Sequence, residues 1–142
     1  MSTRYIAIAG NIGAGKSSLV SFLGKRFQLH PLYEPVDDNP YLEGFYEDMK
    51  AWAFHSQIFY LARKFALHAE AEQTMGRIVL DRTIYEDAEI FAASLKARRL
   101  ISKADWNTYC DLYDVIKDHI EPPDLMIYLK CSVRGVKRRI KH

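Results

Sequence analysis

The chain has 142 residues, of which 49% are apolar, so a single domain with a sizeable core is expected. Its formal net charge of +2 argues against nucleic acid or an anionic membrane as a partner. Cys110 and Cys131 give neither a metal-ligand spacing nor a disulfide framework, and core thiols in a reducing compartment are expected. No apolar run reaches the ~18 residues of a membrane span, and residues 1–4 are too short for a signal peptide. These features predict a cytoplasmic protein.

The first predicted element is a short apolar strand over residues 5–9, and G-N-I-G-A-G-K-S follows it over residues 10–17. This matches the phosphate-binding loop G-x-x-x-x-G-K-[ST], and apolar residues at helical spacing after it complete the required strand–turn–helix context. The loop backbone and Lys16 are suited to phosphates, and the Ser17 hydroxyl to a phosphate-bound Mg²⁺. A chance glycine-rich turn is the alternative. The residues expected to bind ATP are Gly10, Asn11, Ile12, Gly13, Ala14, Gly15, Lys16, Ser17 and Ser18.

A second strand is predicted over residues 29–33, and Pro31 places it at a sheet edge. Glu34 follows this strand and is either a general base for a hydroxyl group or a solvated loop acid; the residues leave both open. Asn39 is expected to cap a helix with Pro40 at its first position.

A long helix is predicted from Trp52 to about Gln73, because the segment has no Gly or Pro and its apolar residues recur at helical spacing. Gln57 lies within the apolar stripe, where a buried amide needs hydrogen-bond partners. Lys64 lies seven residues later, on the same face of the helix.

Residues 77–81 form a predicted third strand that ends in a carboxylate, Asp81. Such a carboxylate commonly orders the Mg²⁺ site of a phosphate-loop protein, and Arg82 beside it could contact a reacting phosphate. A helix cap and a surface arginine are the alternatives. One helix is expected from Thr83 to about Leu95, with Asp87 and Phe91 on one face.

The remaining pattern predicts a capped helix from Ser102 to about His119, a fourth strand over residues 124–130 and a basic helix over residues 133–141. Strands alternating with helices predict a mostly parallel sheet covered on both faces. Ligands bind beyond the carboxyl ends of such strands, so the phosphate loop, Glu34 and the pair Asp81–Arg82 should share one edge.

Five blocks of sequence occur together and in order, and with them the chain resembles the deoxynucleoside kinases, especially the bacterial deoxyadenosine and deoxyguanosine kinases. The blocks are residues 10–18, Glu34-Pro35-Val36, Tyr41-Leu42 through Tyr46, Trp52 through Gln57, and residues 81–87. The resemblance implies transfer of the γ-phosphate of ATP to the 5′-hydroxyl of a deoxynucleoside.

The resemblance also implies a set of catalytic roles. Glu34 would take the proton of the 5′-hydroxyl, and Arg82 would hold both that hydroxyl and Glu34. Lys16 would contact the donor phosphates, while Ser17 and Asp81 would serve the magnesium ion.

The same resemblance assigns the nucleoside pocket. Tyr46 would contact the sugar 3′-hydroxyl, Gln57 would hydrogen-bond the edge of the base, and Phe91 would stack on the base. Lys64 and Asp87 would form a charged pair that reads the far edge of the base. Deoxyadenosine, deoxyguanosine or deoxycytidine is expected to be preferred over thymidine, with the purines first. Relatives usually have Arg in place of Lys64, so the adjacent Arg63 is the reserve candidate. Tyr46 and Phe91 could instead be core aromatics.

At the C-terminus, Arg139 matches the first arginine of the family's lid motif R-x-x-x-R-x-R, and the family continues beyond His142. We therefore expect residues 1–142 to be a phosphate-loop kinase domain that lacks most of the lid and a fifth strand. The expected fold is three-layer α/β, with parallel strands in the order 2-3-1-4. The open edge should leave Met126, Ile127 and Tyr128 poorly covered and favour a homodimer. A non-catalytic nucleotide- and nucleoside-binding module and a thymidylate-kinase-like enzyme are the alternatives.

Overall fold

A computed structural model describes residues 4–11, 14–33 and 38–140, apart from the side chains of residues 136, 139 and 140. The chain divides into two compact units, each of which is described by itself. The first unit comprises residues 1–34, 70–83 and 122–142, and the second comprises residues 35–69 and 84–121. The expectation of one kinase domain over the whole chain stays a prediction.

The first unit is built on a four-stranded sheet in which all pairings are parallel. The strand order is β2-β3-β1-β4, which confirms the predicted α/β class and topology. The strands are β1 Tyr5–Gly10, β2 His30–Leu32, β3 Ile78–Asp81 and β4 Leu125–Leu129.

The core of this unit lies where helix α1, Lys16–Phe27, packs on the sheet through Val20 against Ile8 and Val79. Burial of apolar side chains on both central strands explains their continuous apolar sequence. The second helix of this unit is α7, Val133–Ile140.

The two outer strands behave largely as predicted. Pro31 lies in β2, which pairs with β3 alone among the described strands, as an edge position requires. On β4, Met126 is 44% and Tyr128 67% exposed, which confirms two of the three poorly covered positions. The expectation for Ile127 was wrong, because its side chain packs against the core of the sheet.

The second unit is helical, and its main core joins Leu61, Ile84 and Tyr109 with neighbouring apolar side chains. Helix α3 passes from this unit into the first at residue 69. The helices are α2 Leu42–Glu47, α3 Met49–Gln73, α4 Ile84–Glu86, a π-helix Asp87–Ala92, α5 Ala93–Ala97 and α6 Lys103–Lys117.

Two expectations about helix starts differ from the structure. The α2 helix has Tyr41 as its N-cap, whereas Asn39 accepts a hydrogen bond from the Tyr41 N–H and donates one to the Ser56 hydroxyl. Pro40 is therefore not the first helical residue. The α3 helix begins at Met49, three residues earlier than expected, and ends at the predicted Gln73.

The helix predicted from Thr83 to about Leu95 is an unbroken helical run over residues 84–97, but its middle part, Asp87–Ala92, is π-helical, which was not predicted. The cap of α6 is confirmed by the Asp105 N–H donating to Ser102 Oγ at 3.1 Å. Cys110 and Cys131 are each half-buried, and neither forms a disulfide with a described residue. Within the described part of the chain, no helix has the length and apolar character needed to cross a membrane.

Candidate functional site

In the first unit, the phosphate loop leaves β1 and leads into α1. Gly10 has φ 154°, and a Cβ there would lie 3.0 Å from the Leu129 carbonyl oxygen, so this position requires glycine. Gly15 has φ 95° and directly precedes α1. The N–H of Ala14 donates to the Asn11 carbonyl at 3.1 Å, closing the loop. Ile12 and Gly13, two predicted ATP-binding residues, lie outside the described residues.

The first turn of α1 supplies the charged and hydroxyl groups of the loop. Lys16 is buried, and its Nζ donates to the Asn11 carbonyl oxygen at 3.1 Å, so the side chain folds back over the loop. Ser17 and Ser18 are exposed. Ser17 Oγ donates to Asp81 Oδ2 at 2.7 Å, which joins the start of α1 to the end of β3.

The surroundings of Asp81 show whether the predicted magnesium site is chemically suitable. Its side chain is buried, and Oδ1 has no hydrogen-bond partner among the described residues. A buried carboxylate oxygen without a donor is costly unless a positive charge binds it, and Mg²⁺ prefers oxygen ligands. Asp81 and Ser17 therefore fit the ion. The described residues contain no cluster of three or more His, Cys, Asp or Glu side chains, so its remaining ligands would be phosphate and water oxygens.

Arg82 lies in a strained turn directly after β3. Its φ is 67°, and its N–H donates to the Ile8 carbonyl at 2.9 Å while Nη2 donates to the Gly10 carbonyl at 3.1 Å. A left-handed arginine costs about 1–3 kcal/mol and persists only where its surroundings enforce it. Only 3% of Arg82 is exposed, which excludes the surface-arginine alternative and fixes the guanidinium against the start of the phosphate loop.

Two predicted residues cannot be placed. Glu34, the candidate base, lies outside the described residues, as does the side chain of Arg139, the candidate lid arginine. Their roles stay predictions.

In the second unit, the predicted charged pair is present. Lys64 Nζ lies 4.0 Å from Asp87 Oδ2, with side-chain exposures of 2% and 11%. Gln57 is also buried, on the same face of α3 and two turns before Lys64. Arg63, the reserve candidate, instead pairs with Asp38 at 3.0 Å on the surface. The second unit therefore offers a buried amide, an ammonium group and a carboxylate.

The two remaining residues predicted to bind substrate, Phe91 and Tyr46, lie on different elements. Phe91 is half-buried and, like Asp87, belongs to the π-helix. This conformation is rare in proteins as a whole, but where it occurs it is frequently at a functional site. Tyr46 lies on α2 and is 74% exposed, so the core-aromatic alternative is excluded for it.

His68 is a polar residue of this unit that sequence reasoning missed. It is 1% exposed, and its Nε2 accepts a hydrogen bond from the Ile84 N–H at 3.2 Å. Burial, and then the charge of Lys64, lower the pKa of His68 from 6.5 to about 4. The available signal was its position four residues after Lys64, on the buried face of α3.

Tyr109 was also missed. Its ring stacks on Trp106 with centroids 5.6 Å apart, and its buried hydroxyl has no hydrogen-bond partner among the described residues. Burial, followed by the charge of Asp87, raises the pKa of Tyr109, so the phenol stays protonated.

Comparison with known proteins agrees with this geometry. The sequence model of the family described as deoxynucleoside kinase matches residues 6–142. The chain is 40% identical over 138 residues to the deoxyadenosine/deoxycytidine kinase of Bacillus subtilis, covering 96% of this chain and 64% of that protein. It is 41% identical over 137 residues to the deoxyadenosine kinase of Dictyostelium discoideum, with 96% and 56% covered.

Among solved structures, the chain matches deoxyadenosine kinase from M. mycoides with the products dCMP and dCDP bound. The TM-score is 0.85 at 35% identity, covering 96% of this chain and 69% of that chain. The same kinase with bound dATP gives a TM-score of 0.83 at 35% identity, with 96% and 70% covered. The chain spans about three fifths of the length of the curated relatives that it matches. It has the fold of the phosphate-loop kinases and belongs to the deoxynucleoside kinase family.

Proposed function

We propose that this chain carries the phosphate-binding and nucleoside-binding parts of an ATP-dependent deoxynucleoside 5′-kinase that favours purines. The observation that supports this choice over other phosphate-loop proteins is the buried Lys64–Asp87 pair on the same helical unit as the buried Gln57. A charged pair held out of water is costly, so we expect it to serve specific recognition, and a nucleobase edge supplies matching donors and acceptors. The family match supports the same conclusion.

On the donor side, the loop backbone and Lys16 would hold the phosphates of ATP. Ser17 and Asp81 would hold the magnesium ion, which when bound neutralises charge on the phosphate oxygens. Because phosphoryl transfer depends mainly on positioning and charge stabilisation, the fixed guanidinium of Arg82 would orient the 5′-hydroxyl and stabilise the developing charge. Glu34 would accept the hydroxyl proton as the new O–P bond forms.

On the acceptor side, Asp87 accepts hydrogen bonds and Lys64 donates them. Adenine and cytosine present an exocyclic amine to such a carboxylate, and guanine presents a carbonyl oxygen to such an ammonium. Thymine, like guanine, offers a carbonyl oxygen there, but its 5-methyl group would crowd the pair. Gln57 would bond the other edge of the base, Phe91 would stack on its face, and Tyr46 would contact the sugar. The relatives' names and ligands include both adenine and cytosine nucleosides and nucleotides.

A coupled assay for ADP release with the four deoxynucleosides tests the activity. Glu34→Gln should abolish turnover but leave nucleoside binding nearly intact, because the amide keeps the size of the side chain and cannot take the proton. Glu43→Gln, the same change at an exposed acid on α2, serves as the control.

Near wild-type turnover in Glu34→Gln would show that Glu34 is not the base. Nucleoside binding without any phosphorylation would favour the alternative of a non-catalytic binding module. Phosphorylation of dTMP but of no nucleoside would favour a thymidylate-kinase-like enzyme.

A homodimer is also part of the proposal, because Met126 and Tyr128 are exposed on the outer strand β4. Light scattering coupled to size exclusion tests this, and Tyr128→Lys should shift the mass toward the monomer if β4 contributes to association.

A further inference from the structure

Beside the apolar core that joins Leu61 with Ile84, helix α3 makes two polar contacts that bear on the position of Asp87 in the segment beginning at Ile84. Lys64 Nζ lies 4.0 Å from Asp87 Oδ2, and His68 Nε2 accepts the Ile84 N–H at 3.2 Å. Lys64 and His68 are one turn apart on α3, and Ile84 and Asp87 are about one turn apart on the opposite segment. The two contacts therefore form an antiparallel pair that fixes both the position and the rotation of the segment.

The contact of His68 satisfies a group that the helix itself cannot pair. The first N–H groups of a helix have no acceptor within that helix, and the N–H of Ile84, the first residue of α4, is one of them. A ring nitrogen can accept this hydrogen bond only if it carries no proton, so His68 is neutral with its proton on Nδ1. The side chain of His68 thus caps α4 from a neighbouring helix.

The two polar contacts act together with the apolar core that includes Ile84. The helical run is continuous over residues 84–97, and its middle part, Asp87–Ala92, is π-helical, a conformation that is rare in proteins. Because the first N–H of a helix has no acceptor within the helix, the hydrogen bond to His68 sets where the run that carries Asp87 begins.

We propose that His68 is a positioning residue for base recognition. By accepting the Ile84 N–H, it holds α4 so that Asp87, about one turn later, faces Lys64 and presents its carboxylate to the base. In this role His68 acts through the backbone of Ile84 and not through direct contact with the substrate. The inference rests on the proposed function, since it assumes that Asp87 reads the base.

Three substitutions separate this role from simple packing. His68→Leu keeps bulk but removes the acceptor, whereas His68→Gln places an amide oxygen near the position of Nε2. His119→Gln is the control, because this exposed histidine, just after the end of α6, contacts only the nearby Val115 carbonyl through the hydrogen bond of its ring that the structure describes.

The measurement is the dissociation constant of each variant for deoxyadenosine and for thymidine, by calorimetry on the full chain. His68→Leu should weaken deoxyadenosine binding about tenfold, the loss expected for one positioning hydrogen bond, and should reduce the preference over thymidine. His68→Gln should keep most of both, and His119→Gln should change neither. If His68→Leu does not fold, His68→Asn replaces it, because the asparagine side chain is too short to bring its oxygen to the Ile84 N–H.

A folded His68→Leu variant with an unchanged base preference would overturn the inference. If the wild-type chain binds no nucleoside, the proposed function fails, and a double-mutant cycle of His68→Leu with Asp87→Asn in urea unfolding decides the inference alone. Non-additive destabilisation would support coupling between His68 and Asp87, whereas additive destabilisation would refute it.

Discussion

Two neighbouring basic residues on α3 form ion pairs of opposite character. Arg63 lies 3.0 Å from Asp38, with side-chain exposures of 49% and 66%. Lys64 lies 4.0 Å from Asp87, with exposures of 2% and 11%. Distance alone would rank the Arg63 pair as the stronger, but burial reverses the order, and we predict that the longer pair matters far more to stability.

The expected sizes follow from the surroundings of each pair. Removing one partner of an exposed pair costs about 0–1 kcal/mol, because water screens both charges. Removing one partner of a buried pair costs about 3–5 kcal/mol, because the other charge stays buried without compensation. A Coulomb energy of about 4 kcal/mol at 4 Å and an effective dielectric constant of 20 gives the same size. Lys64→Met should therefore be several times more destabilising than Arg63→Met.

Tryptophan fluorescence during urea unfolding is the suitable assay. The chain has two tryptophans, Trp52 and Trp106, and both lie in the second unit together with the two ion pairs. Lys64→Met/Asp87→Leu, which removes both buried charges, should recover a large part of the loss. A free-energy loss for Arg63→Met equal to or larger than that for Lys64→Met would refute the reasoning.

Three further predictions concern pH, the phosphate loop and base choice. Because burial lowers the pKa of His68 from 6.5 to about 4, only the unfolded chain binds a proton there between these values. The contribution of neutral His68 to the free energy of unfolding of the second unit should be fully present above pH 6.5 and should fall by about 3 kcal/mol toward pH 4. His68→Gln should lose this pH dependence when unfolding is followed by tryptophan fluorescence. Gly10→Ala should destabilise the first unit by about 1–3 kcal/mol in circular dichroism, since its Cβ would meet the Leu129 carbonyl at 3.0 Å; an unchanged midpoint would contradict this. Asp87→Ala should shift binding in calorimetry toward thymidine, and an unchanged ranking of the four nucleosides would show that Asp87 does not read the base.

The sheet could be predicted because each of its strands carries its own signal. The segment before Gly10 and the segment ending at Asp81 are apolar without interruption, as central parallel strands require, and Pro31 marks an edge. The close contact between Ser17 and Asp81 follows from that topology, since Asp81 ends β3 and Ser17 lies in the first turn of α1, which follows the adjacent strand β1.

The π-helix could not be predicted, because its apolar spacing also fits an ordinary α-helix over residues 83–95. The choice between Arg63 and Lys64 was open for a similar reason. The two residues are adjacent, and only tertiary packing turns one toward Asp87 and the other toward Asp38. The partner of His68 is a backbone N–H sixteen residues later in the chain. Because every residue except proline carries such a group, the sequence pattern does not reveal this contact.

The hydrogen bond of His68 lies where the chain enters the second unit. The chain leaves the first unit at Thr83 and enters the second at Ile84, one residue on. Along the chain, Asp81 and Arg82, proposed to act at the phosphate loop, come shortly before this boundary, and Asp87, proposed to read the base, comes shortly after it. The N–H that His68 accepts belongs to the first residue after that boundary. If His68 holds this residue as proposed, its loss should weaken base preference more than phosphate binding, because the residues proposed to bind phosphate belong to the first unit.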